Sequence, residues 1–130
     1  MTIETIKSTK KNCDSPDCVR DCGHGKMELC SLEDTTLAKV TLNPGWKWSE
    51  HVRPMAKTEY CEVPHQQYVI SGRLMIAMED GTKMELGPGD FAVIAPGHDA
   101  WVLGEEPFVA LDFSPAMKNY ASEGNECHTN

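Results

Sequence analysis

The chain has 130 residues, 40% of them hydrophobic and 25% charged, and a formal net charge of −8 at pH 7. This length suffices for one domain with its own hydrophobic core. The acidic balance argues against a nucleic-acid partner, and no run approaches the roughly 18 apolar residues that cross a bilayer. Met1–Asn12 is polar with no apolar stretch, so we expect no secretory signal and a cytoplasmic protein.

Residues 1–26 are polar, turn-rich and rich in cysteine, and we interpret them as an arm that packs on the main body or extends to a partner. The cysteines at its centre, Cys13, Cys18 and Cys22, are followed by His24 and Cys30. Their spacing matches no common zinc or iron–sulfur pattern. In a cytosolic chain, cysteines are first free thiols or metal ligands and only second disulfides.

Residues 27–114 alternate short runs of strand-forming residues with turn signals, which predicts an all-β barrel or sandwich. Alternation places Trp46 and Trp48 on one face of a predicted strand. Asp80-Gly81 predicts a type I′ hairpin, because glycine tolerates the required positive φ. Residues 115–130 form a polar tail that we expect to be loosely held. The predicted strands cover residues 27–32, 36–42, 46–52, 66–70, 74–78, 83–86, 91–95, 98–103 and 108–113.

In the stretch from Glu59 to His65, the candidate metal ligands are Glu59, Cys61 and His65. Glu59 and Cys61 are two residues apart, so on a strand their side chains point to the same face. His65 follows a short turn at Pro64 and opens the next strand. If the two strands pair, a carboxylate, a thiolate and an imidazole converge. This is the usual ligand set of zinc, and histidine with carboxylate also suits iron or manganese.

A fourth ligand has to come from elsewhere in the chain. His98 is the first candidate, because it follows Pro96-Gly97 at the start of a strand that comes after a buried one. His51 is the second, since it lies near the end of the tryptophan-containing strand and its ring could point into the same cavity.

The spacing of these residues resembles the first motif of the cupin family. That motif runs Gly, five residues, His-x-His, three or four residues, Glu, six residues, Gly. Glu59, Cys61, His65 and Gly72 stand at its core spacing, with each ligand identity changed. Runs such as Gly-Trp-Lys-Trp-Ser-Glu-His and Tyr-Val-Ile-Ser-Gly-Arg-Leu are similar to those of small bacterial cupins. The resemblance spans residues 43–113.

The second cupin motif runs Gly, five residues, Pro-x-Gly, two residues, His, three residues, Asn. Gly89-Asp90, an apolar strand and Ala95-Pro96-Gly97 match its beginning. Ala100 stands where the motif has His, and Gly104 where it has Asn. His98 lies two residues before Ala100, so strand parity puts its side chain on the same face, where we expect it to take over the missing role in a slightly displaced position.

The glycine that opens the first motif allows two alignments. Gly45 stands six residues before His51 rather than before Glu59. In one alignment Glu59, Cys61 and His65 fill the ligand positions and residues 53–58 are inserted upstream. In the other, His51 takes the first position. We prefer the first, because its spacing to Gly72 is unbroken.

The resemblance implies an all-β, cupin-type double-stranded β-helix, a jelly-roll barrel over residues 27–114. A short N-terminal arm (1–26) precedes it and a polar tail (115–130) follows. Cupins often pair barrels through edge strands, so we expect a homodimer. A small-molecule ligand would lie in the barrel, with no nucleic acid or membrane as partner.

The expected cofactor is a divalent metal ion. Typical cupin oxygenases hold iron with several histidines and one glutamate, whereas a thiolate shifts the preference toward zinc, with iron, nickel or manganese as alternatives. The predicted ligands are Glu59, Cys61, His65 and His98, with His51 as the alternative to Glu59.

Three functions follow as hypotheses. The first is a metal-dependent enzyme acting on a small organic molecule, with Glu59 or His51 as proton-transfer partner. The second is a non-catalytic ligand-binding or sensory module. The third is a structural barrel without metal. The fold alone does not choose among them, because one barrel supports many activities.

Overall fold

The computed structural model describes residues 7–122, which form nine strands and three short helices. The predictions for residues 1–6 and 123–130 therefore lie outside the described part. No helix within residues 7–122 is long and apolar enough to cross a membrane. The elements are β1 (Cys18–Asp21), β2 (Gly25–Leu32), β3 (Thr35–Leu42), α1 (Trp48–His51), α2 (Arg53–Ala56), β4 (His65–Ser71), β5 (Arg73–Met78), β6 (Lys83–Leu86), β7 (Phe91–Ile94), β8 (His98–Leu103), β9 (Phe108–Asp112) and α3 (Met117–Ser122).

The strands form two antiparallel sheets, one with the order β1-β2-β3-β9-β4-β7 and the other with the order β6-β5-β8. Alternate side chains of β4, β8 and β9 are buried, as expected for strands with one face on a core. Leu29, Val69, Ile76 and Phe108 come from both sheets and are almost wholly buried in a common core. The predicted all-β jelly-roll architecture is confirmed.

The segment predicted as an N-terminal arm packs on the body of the protein. Its strand β1 pairs with β2 along its whole length. Cys13 and Cys30 form a disulfide with a Cα–Cα distance of 5.6 Å. For these two cysteines the ranking of free thiols above disulfides is wrong, because their approach depends on the arm folding back onto β2. Neither then offers a thiolate to a metal.

The predicted strand over residues 46–52 is wrong beyond its first residues. Lys47 makes a single bridge to Trp101, and the chain then turns into α1 and α2. The backbone N–H of His51 donates to the carbonyl of Lys47, and both helices span one turn. Trp46 and Trp48 are nevertheless both 6% exposed. Both side chains are therefore buried, although the strand conformation predicted for them is wrong.

Glycine with a positive φ shapes two of the turns. At the bend after β4, Gly72 has a φ of +80°, and a Cβ there would collide with the carbonyl oxygen of Pro107. The hairpin between β5 and β6 contains Asp80-Gly81 as predicted. Only Gly81 has a positive φ there, however, so the turn is not type I′, which needs positive φ at two residues.

Candidate metal centre

A cavity of about 600 Å³ lies inside the barrel and is lined mainly by apolar side chains. Trp46, Trp48 and Met55 of α2 form part of its wall. Its polar groups come from β1, from β4 and from the two chain segments that meet at Cys61 and His98. Apolar walls with a few converging polar groups are typical of small-molecule sites.

Cys61, His65 and His98 line this cavity together, and their potential ligand atoms lie within 4.8 Å of one another. Cys61 and His98 are joined by an isolated bridge, in which the N–H of Cys61 donates to the carbonyl of His98 at 2.8 Å. Gly97, with a φ of +93°, makes the turn that starts β8 at His98. His65 opens β4. The structure thus brings together three of the four predicted ligands.

Both imidazole rings are held in place through their Nδ1 atoms. His65 Nδ1 lies 2.6 Å from the Asp112 carboxylate, and His98 Nδ1 lies 2.7 Å from the carbonyl oxygen of Ala95. Since a carbonyl oxygen only accepts, His98 Nδ1 donates, and Nε2 is the ring nitrogen that could bind a metal. Oxygen acceptors behind histidine ligands are the usual support of protein metal sites.

Asp112 is fully buried and was missed by the sequence reasoning. Its Oδ1 accepts the backbone N–H groups of Gln66 and Ser114, and its Oδ2 also accepts from the side chain of Gln67. One signal was available: Asp112 follows Phe108 at even spacing, which places a carboxylate on the inward face of an apolar strand. A buried carboxylate requires such partners.

In the metal-free site, the electrostatic surroundings favour a charged pair of Cys61 and His65. Burial raises the pKa of the Cys61 thiol, but hydrogen bonds from His65 and His98 outweigh it and lower the pKa to about 6. Burial lowers the pKa of His65, but its bonds to Asp112 and Cys61 raise it to about 9. Burial likewise raises the pKa of Asp112, but His65 holds it below its ordinary value. At neutral pH, Cys61 is therefore a thiolate, the form that binds metals.

The fourth predicted ligand, Glu59, and its alternative, His51, lie elsewhere. Glu59 is exposed and belongs to no strand, so the parity argument that placed it beside Cys61 does not apply. His51 is half-buried and stacks on His24, with ring centroids 5.4 Å apart. Neither residue lines the cavity.

The donor set of Cys61, His65 and His98 fits a metal ion. One thiolate and two imidazoles are ligands that zinc prefers, and three protein donors leave one position of a tetrahedral ion for water or substrate. Four-coordinate structural zinc sites differ in that all positions are taken by the protein.

Residues 39–109, more than half of the chain, match the EutQ-like cupin domain. The chain belongs to the cupin family. The cluster contains Cys61 and His65, which motif spacing had put forward as ligands, and His98, which strand parity had put forward in place of Ala100. Among curated proteins, none matches the chain.

Several solved structures share the fold of this cupin. A protein of unknown function from Rhizobium leguminosarum bv. viciae 3841 is 20% identical, with a TM-score of 0.59 over 83% of this chain and 98% of that one. An RmlC-like cupin from Shewanella frigidimarina is 19% identical, with a TM-score of 0.53 over 78% and 86%. The oxalate decarboxylase of Lactobacillus farciminis is 16% identical, with a TM-score of 0.52 over 72% of this chain and 29% of that one. At these identities the likeness shows the fold alone.

Proposed function

We propose that this cupin binds a divalent metal ion through Cys61, His65 and His98 and holds a small organic molecule beside it in the cavity. The observation that carries the proposal is the convergence of the three side chains within 4.8 Å at the wall of a cavity of about 600 Å³. The oriented rings support it, since each Nδ1 is held by an oxygen and each Nε2 remains for the metal.

Zinc is the favoured ion. A thiolate is a soft ligand that suits zinc better than manganese, and two imidazoles complete a common zinc set. Iron and nickel are the remaining alternatives. A zinc ion bound in this way polarises a carbonyl group or lowers the pKa of its bound water.

The residues around the centre would bind and orient the organic molecule. Trp46 and Trp48 offer apolar surface to its carbon skeleton and restrict the access of water. Asp112 keeps the His65 ring in position. With three protein donors, one coordination position remains for the molecule, which supports a metal-dependent enzyme as the first form of the proposal.

A non-catalytic ligand-binding or sensory module is the second form. It is favoured by the positions of Glu59 and His51, the expected proton-transfer partners, which lie outside the cavity. Oxalate decarboxylase shows that a related barrel carries out catalysis in that protein, but a shared fold does not transfer chemistry. Small molecules recovered unchanged from the metal-loaded protein would favour this second form over an enzyme.

The metal content of purified protein tests the proposal. We expect about one zinc ion per chain after reconstitution, and a loss of most of it in Cys61→Ala, since removing a ligand removes a metal–sulfur bond. Elemental analysis of the dialysed protein measures both.

Two controls are matched to this test. Cys22 also lines the cavity, but burial raises the pKa of its thiol to about 11, so Cys22→Ala should keep its zinc. Glu59→Gln should keep it too, because Glu59 is exposed. Unchanged metal content in Cys61→Ala would contradict the ligand assignment.

The assembly and location expected from the sequence stay predictions. Tyr68 of β4 and Phe91 and Val93 of β7 expose apolar side chains on the outer face of the larger sheet, which supports a homodimer. The Cys13–Cys30 disulfide argues against the expected cytoplasmic location, because such bonds persist mainly in oxidising compartments.

A further inference from the structure

Gln67 places a polar side chain inside the barrel next to the candidate metal centre. It lies two residues after His65 on β4, so both side chains point to the inner face of the sheet. Gln67 is 5% exposed and lines the same cavity as Cys61 and His98. None of the sequence motifs includes it.

The orientation of the Gln67 amide is fixed by Asp112. Its Nε2 donates to Asp112 Oδ2 at 3.1 Å, and the same oxygen lies 2.6 Å from His65 Nδ1. Because the carboxylate oxygen accepts, the amide nitrogen must face it, and the carbonyl oxygen Oε1 is turned away from it. The Gln67 amide and the His65 ring are thus held by the same atom, Asp112 Oδ2.

Gln67 Oε1 is buried and has no hydrogen-bond partner among residues 7–122. Buried polar atoms are nearly always paired, and an unpaired one is costly enough to call for an explanation. The Gln67 side chain lines the ligand cavity, and the unpaired acceptor that it carries is explained if a bound ligand supplies the donor.

We propose that Gln67 Oε1 accepts a hydrogen bond from an N–H or O–H group of the molecule that binds at the metal centre. This inference rests on the proposed function and names the ligand class. The ligand is a small molecule with a metal-binding oxygen, an adjacent N–H or O–H donor, and an apolar remainder that contacts Trp46 and Trp48. Amides, hydroxamates and hydroxy acids have this combination.

A matched pair of probes tests the role of Gln67. Acetohydroxamate and N-methylacetohydroxamate bind metals through the same two oxygens, but only the first carries an N–H. Cobalt(II) replaces zinc, and the visible absorption of the cobalt–thiolate centre reports both metal loading and probe binding. We expect wild-type protein to prefer acetohydroxamate by about fivefold to tenfold, the ratio that one net hydrogen bond supplies.

Substitutions on β4 distinguish loss of the hydrogen bond to Gln67 from steric exclusion of the methyl group of N-methylacetohydroxamate. Gln67→Met keeps the length of the side chain and removes Oε1, so it should load cobalt normally and lose the preference. Gln67→Leu repeats the test with a shorter side chain. Gln66→Leu is the control, because the neighbouring Gln66 side chain is exposed and this variant should keep the preference.

Three results would overturn the inference, and they have different meanings. A preference that persists in both Gln67 variants would show that methyl bulk, not Oε1, discriminates between the probes. Cobalt loss confined to the Gln67 variants would make Oε1 a metal ligand instead. Absence of the cobalt–thiolate absorption in wild-type protein would remove the proposed function together with this inference.

Discussion

Two pairs of histidines in this protein have the same ring-centroid separation, 5.4 Å, and very different surroundings. His65 and His98 meet edge to face inside the barrel, with Cys61 beside them. His24 and His51 stack nearly parallel where the β1–β2 turn meets α1. His24 is exposed, and His51 Nδ1 lies against the backbone of Lys47.

The difference is that proximity of two imidazoles does not by itself make a candidate metal site. The inner pair has a third donor, and its Nδ1 atoms are held by Asp112 and a backbone carbonyl. The outer pair belongs to no group of three potential ligands within residues 7–122. A metal gains from each added donor, and rings fixed by buried acceptors need no further ordering when it binds.

The largest expected effect comes from removing one ring of the inner pair. His65→Ala or His98→Ala should weaken zinc binding by about 100-fold or more, because each removes a metal–nitrogen bond. His24→Ala and His51→Ala should leave zinc affinity within about twofold, since neither ring lies at the cavity. Competition with a zinc-sensitive chromophoric chelator measures all four affinities.

A strong effect of substituting the outer pair would contradict the distinction between the two histidine pairs. If His51→Ala weakened zinc binding as strongly as His65→Ala, the outer pair would be part of the centre, and the alternative alignment that places His51 among the ligands would regain support. Thermal unfolding of each metal-free variant separates loss of fold from loss of binding.

A smaller effect is expected from the group behind the inner pair. Asp112→Asn keeps the shape of the side chain but removes the charge that orients His65, and should weaken zinc binding by about 10- to 100-fold. Asp99→Asn is the matched control, because Asp99 accepts two backbone N–H groups and contacts neither ring. Equal zinc affinities in the two variants would show that Asp112 does not position the His65 ring for metal binding.

The smallest effect concerns the pH dependence of stability in the metal-free protein. The pKa of His65, raised to about 9, gives stability that is complete below its ordinary pKa of 6.5 and is lost as pH rises through 9. The pKa of Cys61, lowered from 9 to about 6, gives stability that is present above 9 and is lost as pH falls through 6. Between pH 6.5 and 9 the two slopes oppose each other, so the pair should leave stability nearly level.

Removing the thiol should expose the slope of His65. In metal-free Cys61→Ser, Asp112 still raises the pKa of His65, and stability should fall by roughly 1 kcal/mol as pH rises across this window. Urea unfolding at several pH values, in the presence of a chelator, measures the change. A level profile in the variant would mean that His65 holds no extra proton in the folded protein.

The sequence predicted most of the strands, because each run of alternating side chains is a local pattern. It failed over residues 46–52, where seven residues are too few to separate a strand from a bridge followed by a helical turn. Burial of Trp46 and Trp48 satisfies both interpretations. The Cys13–Cys30 disulfide could not be predicted either, since the spacing of cysteines in the sequence does not show which of them pair.

For the site, the sequence by itself determined that Cys61, His65 and His98 were candidates, through motif spacing and strand parity. Only the tertiary structure decided that these three converge while Glu59 stays at the surface. It also revealed Asp112 and Gln67, which are 45 residues apart in sequence and meet because β4 and β9 pair. The physical reason is that ligand geometry and buried hydrogen bonds depend on contacts between distant strands, which no local pattern records.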